Sequence, residues 1–274
     1  MPERNRPFSG YWGIILGGSS GFGLAAVQKL ALHGMNLAVL YREMSSGDRV
    51  ILERFRDLAA ANQVRIAPFN LNALDSSGRD AFLKQFKGLI REEEKVKLLL
   101  HSISRGNLKP LTHESDADDG NSGPILSIQD IQVTTYAMST SLLDWCRMLL
   151  DAGLFCRDGR VIGLTSEGAH RYWKGYAAVS MAKASLESLT SYLAVELGKW
   201  GIRVNLIQAG VTDTPSLKWI PESDLLLSHA AQRNPCGRLT QPEDVAGVIF
   251  LLCLNEASWI NGSLIPVDGG EHCC

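Results

Sequence analysis

Seven short apolar segments, partly made of β-branched residues, recur along the 274-residue chain and constrain its fold more than any other feature. They occupy residues 12–17, 36–41, 64–69, 96–101, 160–165, 202–208 and 263–267. Segments of this kind are typical of strands that are buried on both faces of a parallel sheet. Helical patterns lie between them, at about 22–34, 47–62, 77–93, 130–155, 176–200 and 242–254. The alternation predicts right-handed βαβ units and a single α/β domain with a doubly wound parallel sheet over residues 1–274.

Composition and charge narrow the classes of protein to which the chain can belong. Of its residues, 45% are hydrophobic and 20% are charged, which is enough apolar material for a full core. The net charge is −2 and no basic run occurs, so a nucleic-acid partner is not expected.

Targeting and metal-binding signals are also missing from the sequence. The densest apolar stretch, residues 246–254, is too short to span a bilayer, and the first ten residues lack the apolar centre of an export signal. The six cysteines form no Cys-x-x-Cys pair and the six histidines form no ligand cluster. We therefore expect a cytoplasmic protein with reduced thiols, no membrane span and no metal site.

Two segments break the alternation of strands and helices. Residues 112–123 are polar, acidic and glycine-containing, and we interpret them as a solvated loop. Residues 211–240 lie between the sixth strand and the last long helix, where a substrate lid is expected. Leu217, Trp219 and Ile220 make this second segment more apolar than a plain surface loop, which suits either an apolar substrate chain or packing against a partner subunit.

The sequence GGSSGFG, residues 17–23, follows the first predicted strand and opens the first predicted helix. Glycines allow the backbone to approach a pyrophosphate closely, and the helix N-terminus offers unpaired N–H groups to its charge. Because the strand–turn–helix context is present, the motif predicts a dinucleotide site rather than a structural turn. The predicted cofactor contacts are Gly17, Ser19, Ser20, Gly21, Phe22 and Gly23.

The end of the second strand, Tyr41-Arg42-Glu43, is where the ribose of the adenosine is expected. A carboxylate there suits the 2′-hydroxyl of NAD, whereas an arginine suits the 2′-phosphate of NADP. Arg42 follows the last buried position of the strand, so the sequence favours NADPH over NADH. Because Glu43 is the next residue and could accept from a 2′-hydroxyl, NADH remains an alternative cofactor.

Six residues separate Tyr176 from Lys183 in the stretch YAAVSMAK, which opens a predicted helix. Seven steps of about 100° fall roughly 20° short of two turns and rise by about 10.5 Å. The phenol and the ammonium therefore lie on one face, where they can act on two ends of one bound molecule. An exposed lysine near a half-buried tyrosine is the simpler alternative.

Over nearly its whole length the chain resembles the short-chain dehydrogenase/reductases, which have a Rossmann-like fold. The glycine loop resembles the TGxxxGxG motif of that family, with Leu16 in place of the threonine. QAGVTDTP at 208–215 resembles the loop after the sixth strand, and IPVDGG at 265–270 resembles the last strand and turn. The resemblance implies a homotetramer. It also implies cofactor contacts in the loop after the sixth strand, at Gly210, Val211 and Thr214.

Departures from the common pattern of this family point to one branch of it. Most members carry Tyr-x-x-x-Lys with a serine thirteen residues before the tyrosine, but Ser180 and Gly163 occupy those two positions here. The Tyr-x6-Lys spacing, the sequence HSIS at 101–104 and the pair at 209–210, Ala-Gly, are similar instead to the bacterial-type enoyl-acyl-carrier-protein reductases. Three separated departures therefore favour an enoyl reductase.

This resemblance implies NAD(P)H-dependent reduction of the 2,3 double bond of an enoyl thioester, as in fatty acid biosynthesis, with acyl-carrier protein or coenzyme A as the thiol carrier. Tyr176 is then expected to donate to the thioester oxygen, and Lys183 to hold the nicotinamide ribose. Asn70 is expected to face the adenine amine. Further cofactor contacts are implied at Leu71, His101, Ser102, Ile103 and Thr165.

Ser166, ten residues before the tyrosine, and nearby Tyr172 are candidate substrate contacts, with helix-end packing as the alternative for Tyr172. Two other functions remain open on the sequence. A carbonyl reductase or alcohol dehydrogenase of the same fold could have rearranged its serine. A dinucleotide-sensing protein could bind the cofactor without turnover, but it would have no use for the Tyr–Lys pair.

Overall fold

Seven parallel strands form one sheet in the computed structural model, which describes residues 6–113 and 123–274. The strands are β1 (Tyr11–Leu16), β2 (Asn36–Tyr41), β3 (Ile66–Asn70), β4 (Lys95–His101), β5 (Phe155–Ser166), β6 (Arg203–Ala209) and β7 (Leu264–Val267). Their order is β3-β2-β1-β4-β5-β6-β7. The chain winds outward from β1 in one direction and then from β4 in the other, which confirms the predicted doubly wound topology. Most of the predicted acidic loop at 112–123 lies outside the described residues.

Helices cover both faces of the sheet. They are α1 (Gly21–Leu32), α2 (Ser45–Asn62), α3 (Ser76–Leu89), α4 (Ile128–Thr135), α5 (Ser141–Asp151), α6 (Ala177–Gly198), α7 (Ser223–Arg233) and α8 (Pro242–Cys253). None of these helices, in the part of the chain that is described, is long and apolar enough to cross a membrane.

The core has two halves because successive side chains of each strand point to opposite faces. Ile14 and Leu16 of β1 pack in a cluster with residues of α3, α5 and α6, while Ile15 packs with residues of α1, α2 and α8. The predicted apolar face of α6 contributes to the first half, where Leu186, Leu193 and Leu197 are buried and Leu189 packs against them. The inner strands β1, β2, β4 and β6 are therefore buried on both faces, as their continuous apolar runs predicted, whereas the edge strands β3 and β7 are only partly buried.

Two predicted helix ends are wrong. The pattern at 77–93 gives α3, which ends at Leu89 because the following residues turn to bury Glu94. The carboxylate of Glu94 accepts from the indole of Trp12 and from the backbone of Arg91, both at 3.0 Å. Glu94, the residue after the predicted helix, thus stabilises the turn that ends α3.

The long helix predicted at 130–155 is interrupted. A π-helical turn, Tyr136–Thr140, separates α4 from α5, and α5 ends at Asp151. Gly153, with φ of 65°, completes the turn after α5, so β5 begins at Phe155 and is longer than the predicted strand at 160–165. The segment predicted as a lid, 211–240, contains α7, which the sequence interpretation had not assigned as a helix.

Candidate active site

A cavity of about 430 Å³ lies at the carboxyl ends of the strands and crosses the point between β1 and β4 where the sheet changes direction. In open α/β sheets this is where ligands bind. Its walls come from the glycine loop, the ends of β2 to β5, α6 and the loop after β6. Predicted site residues that line it are Gly17, Ser19, Ser20, Gly21, Phe22, Arg42, Leu71, Ser102, Ile103, Thr165, Ser166, Tyr176, Lys183 and Thr214.

The glycine loop has the geometry that a pyrophosphate requires. Gly17 has φ of +86°, and a Cβ there would lie 2.5 Å from the carbonyl oxygen of Ser102. A Cβ on Gly23 would lie 2.1 Å from the carbonyl oxygen of Gly17, so the absence of a side chain allows α1 to pack against the turn. Gly23 itself does not line the cavity. No side chain of the described residues caps the N-terminus of α1, which leaves its first N–H groups for an anion.

The two candidate ribose-binding residues at the end of β2 differ in their surroundings. Arg42 is exposed, lines the cavity and makes no hydrogen bond or ion pair with the described part of the chain. The carboxylate of Glu43 accepts from the backbone N–H of Met44 at 3.0 Å. Asn70 does not line the cavity, because its amide donates to the carbonyl of Glu43 and accepts from its N–H, at 2.9 and 3.0 Å. The amide of Asn70 thus fixes the loop after β2.

Tyr176 is the residue before α6 and Lys183 lies within that helix, so both side chains reach the cavity from one element. The ammonium of Lys183 is buried and donates to the carbonyl of Leu164 at 2.7 Å. Burial lowers the pKa of Lys183 to about 8. Burial also raises the pKa of the Tyr176 phenol, although the hydroxyl of Ser166 opposes this shift. Near neutral pH the tyrosine is therefore protonated and the lysine is largely charged, and both are donors.

The hydroxyl oxygens of Ser166 and Tyr176 are 3.4 Å apart. Ser166 ends β5 and Tyr176 precedes α6, so the ten-residue spacing brings the two hydroxyls together across a short turn. Next to them, the Thr165 hydroxyl donates to the carboxylate of Glu187 at 2.9 Å. A serine, a tyrosine and a lysine therefore line one wall, even though the serine is absent from the position thirteen residues before the tyrosine.

His101 lies beneath the site and does not line it. Its side chain is 1% exposed, and its Nε2 is 2.9 Å from the hydroxyl of Ser141. The Nδ1 atom has no hydrogen-bond partner among the described residues. Burial, together with the nearby charge of Lys183, lowers the pKa of His101 to about 3. The imidazole is neutral at physiological pH and acts as a packing group, while its neighbours Ser102 and Ile103 form the cavity wall.

Several other predicted contacts also lie outside the cavity. Gly210 packs against Thr240 and Asp268, and the backbone N–H of Val211 donates to Glu271 at 3.3 Å. Tyr172 is 89% exposed and borders a second groove, next to Tyr176. In the predicted lid, Leu217 is buried, Trp219 is 80% exposed, and neither these residues nor Ile220 lines the cavity. The lid segment instead reaches the cavity through Thr214, Pro215 and Ser216.

Sequence reasoning missed several cavity residues, among them residues that adjoin predicted contacts along the chain, such as Asn72 and Leu164. Met138 enters from the π-helical turn, which continues the apolar pattern of α4 and has no separate sequence signal. Pro215 and Ser216 follow the predicted Thr214 directly. Ser104 is the last residue of the HSIS segment and Arg105 follows it, so both come directly after the predicted contact Ile103. The described residues include no group of three histidines, cysteines or carboxylates placed to hold a metal.

Comparison with known proteins identifies the family. A family model described as enoyl-(acyl carrier protein) reductase matches residues 17–272. The chain belongs to that family. This enoyl-(acyl carrier protein) reductase family is a branch of the short-chain dehydrogenase/reductases, whose fold binds a dinucleotide.

Individual relatives of the chain have different activities. Cyclohexanol dehydrogenase of Rhodococcus sp. (strain TK6) is 26% identical, over 97% of each chain. The enoyl-(acyl-carrier-protein) reductase (NADH) FabI of Aquifex aeolicus (strain VF5) is 36% identical over 116 residues, which are 42% of this chain and 43% of that one. The crystal structure of FabI from Candidatus Liberibacter asiaticus superposes with a TM-score of 0.80 at 25% identity, over 97% of this chain and 96% of that one. Membership of the family thus leaves the specific reaction to be argued from the site.

Proposed function

We propose that the protein is an NAD(P)H-dependent enoyl-thioester reductase. The observation that carries the proposal is the Tyr176–Lys183 pair. The two residues are separated by six others and line one wall of the cavity, in a chain that belongs to the enoyl-(acyl carrier protein) reductase family. A bound reduced nicotinamide supplies the hydride for the β-carbon of the substrate. The chain supplies orientation and hydrogen-bond donors.

In this mechanism Tyr176 donates a hydrogen bond to the thioester oxygen, on which negative charge develops as hydride reaches the β-carbon. The resulting enolate then takes a proton from solvent at its α-carbon, which completes the saturated thioester. A donor aimed at developing charge can lower a barrier by about 3 kcal/mol. The raised pKa keeps the phenol protonated for this task. Lys183 holds the ribose hydroxyls, and its positive charge favours the anionic side of the reaction. Ser166, 3.4 Å from the phenol oxygen, orients Tyr176.

For the cofactor, we propose a preference for NADPH, because Arg42 is free while the Glu43 carboxylate already accepts a backbone hydrogen bond. We expect Arg42→Gln to raise the KM for NADPH by roughly 10- to 100-fold, the value of a charge-assisted hydrogen bond, while the KM for NADH changes little. Steady-state kinetics with both cofactors measures this. A wild-type protein that strongly prefers NADH would contradict the assignment.

Two expectations about assembly and closure join this proposal. The segment 214–235 is proposed to close over the acyl chain, with Thr214, Pro215 and Ser216 already at the cavity. A homotetramer is proposed because large apolar side chains are exposed to solvent on the single chain: Trp259 is 92% exposed, Val195 79% and Tyr192 69%.

The thiol carrier of the substrate is proposed to be acyl-carrier protein or coenzyme A.

A second candidate function is reduction of a ketone or oxidation of a secondary alcohol. The contact between Ser166 and Tyr176 favours this candidate. It places a serine beside the Tyr–Lys pair, as in the usual Ser–Tyr–Lys set, although this serine lies ten rather than thirteen residues before the tyrosine. The similarity to a cyclohexanol dehydrogenase over 97% of the chain agrees with this candidate. Here Tyr176 would give its proton to the alkoxide oxygen, and Ser166 would hold the carbonyl oxygen.

One substrate panel tests both candidates. NADPH and NADH oxidation is followed with enoyl thioesters, 3-ketoacyl thioesters and cyclic ketones, and products are identified by mass spectrometry. A saturated thioester supports the first proposal, whereas a hydroxy product supports the second. Ser166→Ala should reduce enoyl turnover only severalfold but ketone turnover by at least about 100-fold, as for other donors to a developing oxyanion. Cofactor binding without turnover on any substrate would favour a dinucleotide sensor.

A further inference from the structure

Arg105 is a cavity-lining cation for which the proposed mechanism has no use. It follows the HSIS segment after β4 and is exposed at the cavity wall. It makes no hydrogen bond or ion pair with the described residues, in contrast to other arginines of the chain. Arg171 and Arg233, for example, both pair with Glu167.

The backbone that carries Arg105 is fixed on both sides. On one side the hydroxyls of Ser104 and Ser216 lie 2.7 Å apart, which ties the loop after β4 to the loop after β6. On the other side Gly106 is pressed against α4 and α6, because a Cβ there would lie 2.8 Å from Thr134 and 2.9 Å from Val179. The backbone on both sides of Arg105 is therefore held by neighbouring elements, while its guanidinium has no partner among the described residues. This arrangement is expected of a binding residue.

The charges around the cavity are unbalanced. Its lining residues include Arg42, Arg105 and Lys183 but no aspartate or glutamate. Two carboxylates on neighbouring elements are paired elsewhere: Asp130 of α4 with Lys109, and Glu187 of α6 with His170 and Thr165. The adenosine end accounts for Arg42 and the nicotinamide ribose for Lys183. Arg105 is left without a counter-charge.

Its position assigns Arg105 to the substrate side. β4 lies next to β5, whose end carries Ser166, and the segment after Arg105 packs toward the catalytic tyrosine: Leu108 and Tyr176 belong to one apolar cluster with Met138. Arg42, by contrast, lies beyond β1 at the end of β2. The two arginines thus lie on opposite sides of β1, with Arg105 on the side of β5 and Ser166.

We propose that Arg105 binds an anionic oxygen group of the substrate, either a carboxylate on the acyl chain or the phosphate of a phosphopantetheine arm. The proposal rests on the function proposed above, since it concerns the substrate of the same site. A planar guanidinium matches both groups with paired N–H donors. The enzyme is therefore selective for charged over neutral thioesters.

The test compares three thioesters of short enoyl chains. The first is a neutral N-acetylcysteamine thioester, the second carries the same chain on 4′-phosphopantetheine, and the third is an N-acetylcysteamine thioester whose chain ends in a carboxylate. We expect wild type to prefer one charged substrate. Arg105→Gln should lower kcat/KM for that substrate roughly 10- to 100-fold and for the neutral one less than about threefold. Arg105→Lys should recover part of the loss. Which charged substrate responds identifies the source of the anion.

Binding experiments separate this proposal from the proposed reaction. The saturated forms of the three thioesters, which cannot be reduced, are titrated calorimetrically into wild type, Arg105→Gln and the surface control Arg49→Gln, each with oxidised cofactor present. If no enoyl thioester is reduced but the charged saturated form loses affinity only in Arg105→Gln, the reaction is wrong and the anion site stands. Equal affinities in all three proteins, or a matching loss of cofactor affinity in Arg105→Gln, would overturn the anion site.

Discussion

Burial changes the two titratable groups of the candidate site in opposite directions. It raises the pKa of the Tyr176 phenol and lowers that of the Lys183 ammonium to about 8. Both shifts have the same physical cause, which is the cost of removing a charge from water. As a consequence, the Tyr176 phenol stays protonated over a wide pH range. The Lys183 ammonium is charged near neutral pH but loses its proton as pH rises through about 8.

The different tasks assigned to these residues predict different failures. Tyr176→Phe keeps the ring and removes only the donor, so kcat should fall by at least about tenfold while the cofactor Kd stays normal. Lys183→Met removes a contact present before reaction, so cofactor affinity should fall as well. Steady-state kinetics and fluorescence titration measure the two effects. Wild-type kcat in Tyr176→Phe, or normal cofactor binding in Lys183→Met, contradicts the paired roles.

Lys183 also predicts two opposite pH effects. Its folded pKa of about 8 lies below its ordinary value of 10.5, so between these values the unfolded chain binds more protons, and its contribution to stability rises with pH. Cofactor affinity should instead fall as pH rises through 8, by about tenfold when the charged donor is lost. Titrations and urea unfolding at pH 7 to 10, taken as differences from Lys183→Met, measure both. If stability and cofactor affinity changed in the same direction as pH rises, the role assigned to Lys183 would be refuted.

At the residue scale, sequence reasoning succeeds where chemistry is carried by contiguous motifs. Most of the glycine loop, together with Arg42, the Tyr–Lys pair and Ser166, lines the cavity, because each lies at the end of a predicted strand or the start of a predicted helix. It misses Met138 and places Asn70 at the cavity wall. Side-chain direction in those cases depends on the π-helical turn and on the local hydrogen bonds of the loop after β2, neither of which has a periodic signature.

At the scale of elements, the sequence predicts all seven strands and their parallel arrangement because each is a short apolar run between helical patterns. The predicted ends of helices are wrong where a tertiary contact overrides the local sequence pattern. Glu94 ends α3 early because it pairs with Trp12, on a strand far away in sequence. The helix α7 is missed because its leucines suit a lid as well as a helix.

The close packing of α1 on the glycine loop gives a prediction for this element. Gly23→Ala would bring a Cβ within 2.1 Å of the Gly17 carbonyl oxygen, so the loop must shift. We expect a loss of stability of about 1–3 kcal/mol and cofactor affinity reduced at least about tenfold. Denaturant unfolding and cofactor titration test this.

A matched control is available in α8. Nothing lies within 4 Å of a Cβ built at Gly247, so Gly247→Ala should instead stabilise the protein by roughly 0.5–1 kcal/mol through helix propensity, with unchanged cofactor binding. Equal effects of the two substitutions would mean that the close approach at Gly23 is unimportant.

At the scale of the whole molecule, one arginine joins three segments that are distant in sequence. Arg233, at the end of α7, donates to Glu271 near the C-terminus at 2.7 Å and to Glu167, which follows Ser166, at 3.3 Å. Glu271 also accepts from the backbone of Val211, at the start of the predicted lid. Val211 and Arg233, near the two ends of the predicted lid, are thereby linked to the turn that leads from Ser166 to Tyr176. Sequence alone did not indicate this link, since its members share no motif.

This link gives the final prediction. Arg233 and Glu271 have side chains only 16% and 3% exposed, so Arg233→Met leaves a buried carboxylate without its partner. We expect a loss of roughly 3 kcal/mol in the free energy of unfolding and faster hydrogen exchange across 214–235. The control is Arg238→Met, which breaks a pair with Asp244 whose side chains are 55% and 35% exposed and should cost less than about 1 kcal/mol. Similar costs for both variants, or unchanged exchange in Arg233→Met, would show that the lid segment is held by apolar packing and that its ion pairs to the active-site turn are incidental.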